Sequence, residues 1–282
     1  MLNNICPKYI INNQVTSALI EDSLTFPDYT AALVNNVITT ATIITRQNMT
    51  LCGTEWVNQA FLNCDKNANI SWAYKDGDKI TAGSLLCEIT ANAREMLTAE
   101  RTALNFLQLL SATATITSQY VEKTRVYNTK IMDTRKTIPG LRLSQKYAVV
   151  VGGGFNQRIG LYDGVLIKEN HITGCGGISN ALNKAFKDTP PHIPIQIEVE
   201  TFEQLVEAMN SDAKLILLDN MTTSQIKKCV DYVKDKAQLE ASGNINLDNV
   251  LDYAQTGVHR ISIGSLTKNI AAIDLSMRIS LK

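Results

Sequence analysis

The sequence predicts an α/β fold, either a parallel barrel of fewer than eight strands or an open doubly wound sheet, behind an N-terminal region of mixed helix and strand. Two observations carry this. From Lys130 onward, short apolar runs alternate with helical segments, the pattern of parallel strands joined by helical crossovers. The apolar runs number six in about 135 residues, too few for the eight strands of a full barrel. No glycine fingerprint for a dinucleotide follows the first of them, which counts against the open sheet.

Composition narrows the function classes. The 282 residues suffice for one large domain or two modest ones, and a hydrophobic fraction of 45% is ordinary for a globular chain. Formal net charge is zero, so no global field draws the molecule to nucleic acid or to a membrane surface, and any cationic site must be local. The N-terminus shows no basic region followed by an apolar core, and the apolar stretch 31–45 contains Asn35, Asn36 and several threonines, so neither signal peptide nor membrane span is expected. Cys6, Cys52, Cys64, Cys87, Cys175 and Cys229 are scattered without a CxxC pair, which reads as buried thiols in a reducing cytoplasm.

Residues 1 to about 30 read as helical, with Val15, Ala18, Leu19 and Leu24 at helix-like spacing. From Tyr29 to Ile89 the texture is β. Residues 37–44 are rich in Thr, Ile and Val, and 76–89 set glycine turns beside alternating apolar residues. That last pattern is shared with biotinyl and lipoyl carriers, but no lysine sits at a hairpin tip, so a small structural sheet is expected. A long helix follows over 93–111, its stripe made by Met96, Ala103, Leu107 and Leu110. Arg94 and Arg101, seven residues apart, share another face and are expected to reach outward as solvated charges.

The strands beyond are 131–132, 165–167, 195–199, 215–218, 238–241 and 260–263, and helices are expected at 143–151, 178–187, 202–209, 223–233 and 247–254. The tail 270–282 alternates apolar and polar residues (Ile273, Leu275, Met277, Ile279) and should return as a strand to the N-terminal sheet.

In parallel barrels, functional groups project from the C-terminal strand ends. Those ends carry Asp133, Thr134, Arg135 and Lys136, then Lys168, Glu198, Asp219, the Glu240–Gly243 turn, and Gly264-Ser265. Arg158 follows a run of three glycines. Arg135, Lys136, Arg158 and Lys168 suit a small, highly charged anion, since one cation about 4 Å from an anion is worth roughly 4 kcal/mol at an effective dielectric of about 20. Glu198 and Asp219 suit ribose hydroxyls and a magnesium ion, and would steady an oxocarbenium-like state. The Ser, Gly and Asn turns can cradle a phosphate with backbone N–H groups. Lys168 is open at this point between anion ligand and Schiff-base nucleophile.

The motifs E-R-T-A-L-N-F (from Glu100), D-T-R-K-T (from Asp133), P-G-L-R (from Pro139), G-L-Y-D (from Gly160), L-I-K-E-N-H (from Leu166), E-V-E (from Glu198) and L-L-D-N (from Leu217) stand in one order over nearly the whole chain. In this the sequence resembles the quinolinate phosphoribosyltransferases, the carboxylating nicotinate-nucleotide pyrophosphorylases. The resemblance implies an N-terminal α+β open-sandwich domain (1–105), an incomplete parallel α/β barrel of six or seven strands (106–265) and a returning tail (266–282). It implies that quinolinate attacks the anomeric carbon of phosphoribosyl pyrophosphate, giving nicotinate mononucleotide, pyrophosphate and CO2, in NAD biosynthesis.

The same resemblance assigns the substrate carboxylates to Arg135 and Arg158, with Arg101 entering from the partner of a homodimer, and leaves larger assemblies open. Lys136 and Lys168 face pyrophosphate and substrate anions, Thr134 joins them, and Glu198 and Asp219 attend ribose and Mg2+, the metal through water. Ser242, Gly243, Asn244, Gly264 and Ser265 match the grip on the 5′-phosphate. Lys136, Lys168, Glu198 and Asp219 are the catalytic set, and no organic cofactor is expected. Two departures stand out: Gln157 where histidine is usual, and Ser242-Gly243-Asn244 where a Ser-Gly-Gly run is frequent. Glutamine can donate to a carboxylate but carries no charge. His171 reads as a structural residue at a strand end. The other readings are a phosphoribosyltransferase that does not decarboxylate, a Schiff-base aldolase acting through Lys168, and a non-catalytic phosphosugar binder.

Overall fold

The computed structural model describes residues 2–24 and 26–280; the outer ends of the expected N-terminal helix and C-terminal tail lie outside them. The chain opens with α1 (Leu2–Ile5) and α2 (Lys8–Ser23), and α2 buries Ile11 and Val15. It ends earlier than the sequence suggests. Leu24 takes a left-handed C-cap conformation at φ 45°, is 64% exposed, and is no part of the apolar face.

Next come β1 (Ile38–Thr45), β2 (Met49–Thr50), α3 (Thr54–Cys64), β3 (Asn69–Trp72), β4 (Lys79–Ile80), β5 (Leu85–Asn92) and α4 (Ala93–Thr124). The region expected to be uniformly β thus holds a helix. Trp56, Val57, Ala60 and Phe61 of α3 are buried against the sheet, so the β-prone aromatics serve a helical stripe. Asp76 holds the start of α3, accepting from the Gly53 and Thr54 N–H groups (both 3.2 Å) and from the Tyr147 hydroxyl at 2.8 Å.

The remaining elements are β6 (Lys130–Met132), α5 (Arg142–Val151), β7 (Val165–Ile167), α6 (Glu169–Cys175), α7 (Ile178–Asp188), β8 (Ile195–Val199), α8 (Phe202–Asn210), β9 (Leu215–Asp219), α9 (Thr223–Val233), β10 (Gln238–Ser242), α10 (Val250–Gln255), β11 (Arg260–Ser262), α11 (Ser265–Lys268) and β12 (Leu275–Ser280).

Two units result: Met1–Ser118 with Ile138–Gly153 and Asn269–Lys282, and Gln119–Thr137 with Gly154–Lys268. The boundary expected at residue 105 falls inside α4, which runs to Thr124 because its stripe continues through the buried Ala114, Thr117 and Tyr120. In the first unit the antiparallel sheet has the order β12-β1-β5-β3. The tail pairs there from Thr40 opposite Ser280 to Thr45 opposite Leu275. Ala41, Ile43, Ile89 and Ala91 join Met96, Ala103, Leu107 and Leu110 of α4 in one core.

The second unit is a parallel sheet in the order β6-β11-β10-β9-β8-β7. Beside β6 a seventh segment contributes one parallel bridge, Met132 to Phe155, with the Phe155 N–H donating to the Ile131 carbonyl at 2.8 Å. This is the incomplete parallel α/β barrel. The period of two then sorts side chains. Leu166, Lys168, Gln196, Glu198, Leu217, Asp219, Glu240, Ser242 and Ser262 line interior cavities, while Ile167, Ile197, Val199, Ile216, Leu218, Leu239, Ala241 and Ile261 between them are buried on the other face.

Candidate active site

A cavity of about 440 Å³ lies at the C-terminal strand ends of the second unit, lined by Thr134, Arg135, Lys136, Arg158, Lys168, Glu198, Asp219 and Ser242. Eight of the residues that the sequence singles out are thereby gathered in one place, from five different strand ends and the glycine segment. Leu166, Leu217, Gln157, Glu240 and Ser262 complete the lining. The volume is within the range of small-molecule sites, and two leucines among the charges give a flat ring something apolar to rest on.

Arg158 is set by the segment that carries it. Asp133 accepts from Asn156 Nδ2 at 2.6 Å and from the Gln157 N–H at 2.9 Å. Asp163 accepts from the N–H groups of Ile159 and Gly160, both at 2.8 Å. Two carboxylates thus pin the backbone on either side of Arg158, whose Nη1 donates to the Gly164 carbonyl at 3.2 Å. Burial, and then the like charge of Arg135, hold the Arg158 guanidinium below its ordinary pKa, against Asp163. Two cations kept this close favour an anion between them.

Lys136 follows β6 in a turn whose N–H donates to Thr134 Oγ1 at 3.1 Å and whose carbonyl accepts from Thr267 Oγ1 at 2.8 Å. Gly264 packs beside this lysine: a Cβ there would lie 2.9 Å from Lys136 Cδ, so a side chain at 264 would have to displace it. Lys168 caps α6. Its backbone N–H donates to His171 Nδ1 at 3.0 Å, so His171 has a structural duty, and its Nζ meets Glu198 Oε2 at 2.6 Å. Burial, and then Glu198, push the Asp219 carboxyl above its usual range, opposed by Lys168, Ser242 and Lys136.

Gly243 and Asn244 form a left-handed turn next to the lining, at φ 101° and 52°, with Asn244 Nδ2 donating to Asn220 Oδ1 at 3.3 Å. Ser265 opens the short α11. Arg101 is exposed on α4 in the first unit. Arg94 does not reach outward: it is half-buried, and its Nε donates to the Val34 carbonyl at 2.9 Å. The Gln157 amide is engaged by protein, Nε2 donating to Gln196 Oε1 and Oε1 accepting from the Arg158 N–H, both at 2.7 Å. Sequence reasoning passed over Leu166, Leu217 and Ser262 and treated Glu240 as rim charge; the alternation of each strand was the signal that aims them inward.

Comparison with known proteins bears on the same residues. The family models for the N-terminal and C-terminal domains of quinolinate phosphoribosyl transferase match residues 28–111 and 113–278. The nicotinate-nucleotide pyrophosphorylase (carboxylating) of Mycobacterium leprae is 41% identical over 211 residues, 74% of this chain and 74% of that one. Quinolinate phosphoribosyltransferase (decarboxylating) 1 of Nicotiana glauca is 32% identical over 293 aligned positions, covering 97% of this chain and 83% of its own. The solved nicotinate-nucleotide pyrophosphorylase of Francisella tularensis superposes with a TM-score of 0.94 at 46% identity over 97% of both chains. With both domain models matched in order, and a relative alike from end to end, the chain belongs to the quinolinate phosphoribosyl transferase family.

Proposed function

We propose that the chain is a quinolinate phosphoribosyltransferase (decarboxylating) of NAD biosynthesis, converting quinolinate and phosphoribosyl pyrophosphate to nicotinate mononucleotide, pyrophosphate and CO2. The observation that carries this reading is one cavity shared by Arg135, Lys136, Arg158 and Lys168 with Glu198 and Asp219, in a chain of this family. Arg135 and Arg158 hold the pyridine carboxylates. Lys136 and Lys168 take the pyrophosphate, and Lys168 leaves Glu198 to do so. Glu198 and Asp219 attend the ribose, and Thr134, Ser242, Gly243, Asn244, Gly264 and Ser265 receive the remaining phosphate oxygens.

Catalysis is then placement. The ring nitrogen attacks the anomeric carbon as the bond to pyrophosphate breaks. The nitrogen becomes positive, and the electron pair of the departing carboxylate flows into the ring before a proton replaces CO2 at that carbon. The Glu198 and Asp219 carboxylates favour the cationic sugar on the way.

Magnesium fits this donor set. Glu198 and Asp219 offer hard oxygens on adjacent strands, and among the described residues no group of three or more His, Cys, Asp or Glu could hold a metal alone. Two carboxylates suit an ion that keeps its waters and takes substrate phosphate oxygens. When bound, it neutralises charge on the pyrophosphate.

The working form in this proposal is a homodimer in the cytoplasm, with Arg101 lent across the interface. The six cysteines are free, as a reducing compartment favours, and no described helix is long and apolar enough to cross a membrane. An aldolase reading has less behind it. Lys168 is half-exposed and its Nζ is bound to the Glu198 carboxylate at 2.6 Å, whereas an imine-forming lysine needs a free amine in a desolvated pocket.

The test is release of labelled CO2 from quinolinate labelled in its 2-carboxylate. It should require phosphoribosyl pyrophosphate and Mg2+ and match nicotinate mononucleotide one for one. Turnover of nicotinate in place of quinolinate, or an imine trapped at Lys168 by borohydride, would overturn the reading.

A further inference from the structure

Barrel interiors are ordinarily filled by branched apolar side chains. This one carries a polar chain across its middle: Gln157 Nε2 donates to Gln196 Oε1 at 2.7 Å, and Gln196 Nε2 donates to Glu240 Oε2 at 3.1 Å. Gln196 is 6% exposed and Glu240 1%. The chain stops on one atom. Glu240 Oε1 is buried and has no hydrogen-bond partner among the described residues. Arg135 Nε shares that condition, and both residues line the same cavity. Buried polar atoms are rarely left this way, and each exception calls for a partner that is absent.

The two atoms define the partner's chemistry. Arg135 Nε is a donor in every state. Burial lifts the Glu240 carboxyl above its usual range, Asp133 adds to the lift, and Gln196, Ser262 and Arg260 oppose it. Oε2 already accepts from Gln196, so a proton held by this carboxyl belongs on Oε1. With that proton in place, the cavity holds two unspent donors, an N–H and an O–H, beside the further cation Arg158 and the apolar faces of Leu166 and Leu217. A carboxylate on a flat ring accepts from both donors at once.

We infer that Glu240 is a substrate-contacting residue, its carboxyl donating a hydrogen bond from Oε1 to a carboxylate oxygen of the pyridine substrate held by Arg135. The inference rests on the proposed function and adds a neutral contact to its ring of cations. A neutral donor does what another arginine would not. It recognises the carboxylate without a further charge beside Arg135 and Arg158, which already repel each other. It also discriminates, because a ring lacking that carboxylate leaves both donors unpaired in a buried place.

The test compares Glu240→Gln with Glu240→Leu in the full chain, with quinolinate and phosphoribosyl pyrophosphate varied separately, and with the melting shift produced by quinolinate alone. Glutamine keeps an N–H donor where the acid had its O–H; leucine keeps only the bulk. The expected result is a quinolinate KM raised at least tenfold in Glu240→Leu, with the KM for phosphoribosyl pyrophosphate within about twofold of wild type. The quinolinate melting shift should be lost with it. Glu240→Gln should recover most of the quinolinate KM and the melting shift. Equal quinolinate affinity in wild type and Glu240→Leu overturns the contact, as does equal loss in both variants or a matching rise in both KM values, which marks a structural role. A wild-type chain that neither turns over nor is stabilised by quinolinate instead sinks the functional reading, and this inference with it.

Discussion

Gly243 has no room for a methyl group. Its φ is 101°, and a Cβ would lie 2.2 Å from Asn220 Oδ1 and 2.9 Å from the Asn220 backbone nitrogen. Asn220 and Asn244 are themselves left-handed, at φ 54° and 52°, which short polar side chains tolerate better than others. The turns after β9 and β10 therefore interlock. Gly243→Ala should cost about 1–3 kcal/mol of stability through backbone strain alone, and should lower kcat/KM for phosphoribosyl pyrophosphate at least tenfold because Asn220 has to move. Melting and steady-state kinetics check both halves; a stable variant with normal kinetics would remove this turn from the phosphate grip. Glu240 has a signature of its own in stability. Its folded carboxyl titrates above the unfolded value of about 4.3. Between those two values the native state holds the proton that the unfolded chain has lost, so stability falls as pH rises through the window and is level above it. Glu240→Gln has nothing to titrate there. Its melting temperature relative to wild type should climb as pH rises from about 4 and then plateau; a difference that does not vary with pH would mean the carboxyl titrates alike in the folded and the unfolded chain.

Between residue and fold, the segment 155–163 acts as an element although it is neither helix nor strand. The two aspartates that pin it, Asp133 and Asp163, belong to the D-T-R-K-T and G-L-Y-D motifs, so those aspartates serve the backbone that carries Arg158. Asp163→Ala frees the N–H groups of Ile159 and Gly160 and should cost about 1–3 kcal/mol. The quinolinate KM should rise several-fold while that for phosphoribosyl pyrophosphate holds, although Asp163 is absent from the cation cavity's lining. Equal effects on both substrates would show that the segment steadies the barrel at large. Such elements are poorly legible in sequence. The strand at 165–167 could be read as a short apolar run, and that at 195–199 by its alternation of Ile, Ile and Val with Gln196 and Glu198. Helix α6 could not, since it buries none of its residues and leaves no stripe; it is held by Lys168 and His171 at its first turn. The cationic strand ends were equally plain, whereas Glu240 looked like one more rim charge. Its alternation with Leu239 and Ala241 puts it on the interior face, but its neighbours there, Leu217 on β9 and Arg260 on β11, follow from register, which is a property of the sheet.

On the scale of the molecule, the chain crosses between its units several times: α5 returns to the first unit between two segments of the second, and the tail closes the first sheet. Local periodicity has no means to mark these crossings, and the boundary at residue 105 that the resemblance implies lies inside α4. Arg101 carries the same difficulty into function. By pattern it is one more solvated helix charge, and in the first unit it is exposed as such a charge would be. Only the resemblance gives it a ligand, lent to a partner's site, and that assignment is open to a direct genetic test. Arg101→Ala removes the lent group, and Lys136→Ala disables the cavity that receives it. Each homodimer should lose at least a hundredfold in kcat/KM, about 2.7 kcal/mol or more of transition-state stabilisation. In a heterodimer of the two, one site has both defects and the other has neither. Mixed at equal amounts and allowed to exchange subunits, the pair should regain about a quarter of wild-type activity, since half the dimers are mixed and each has one sound site of two. Isotope-labelled subunits and native mass spectrometry would confirm that exchange took place. Heterodimers proven in this way but still inactive would mean that Arg101 acts within its own subunit.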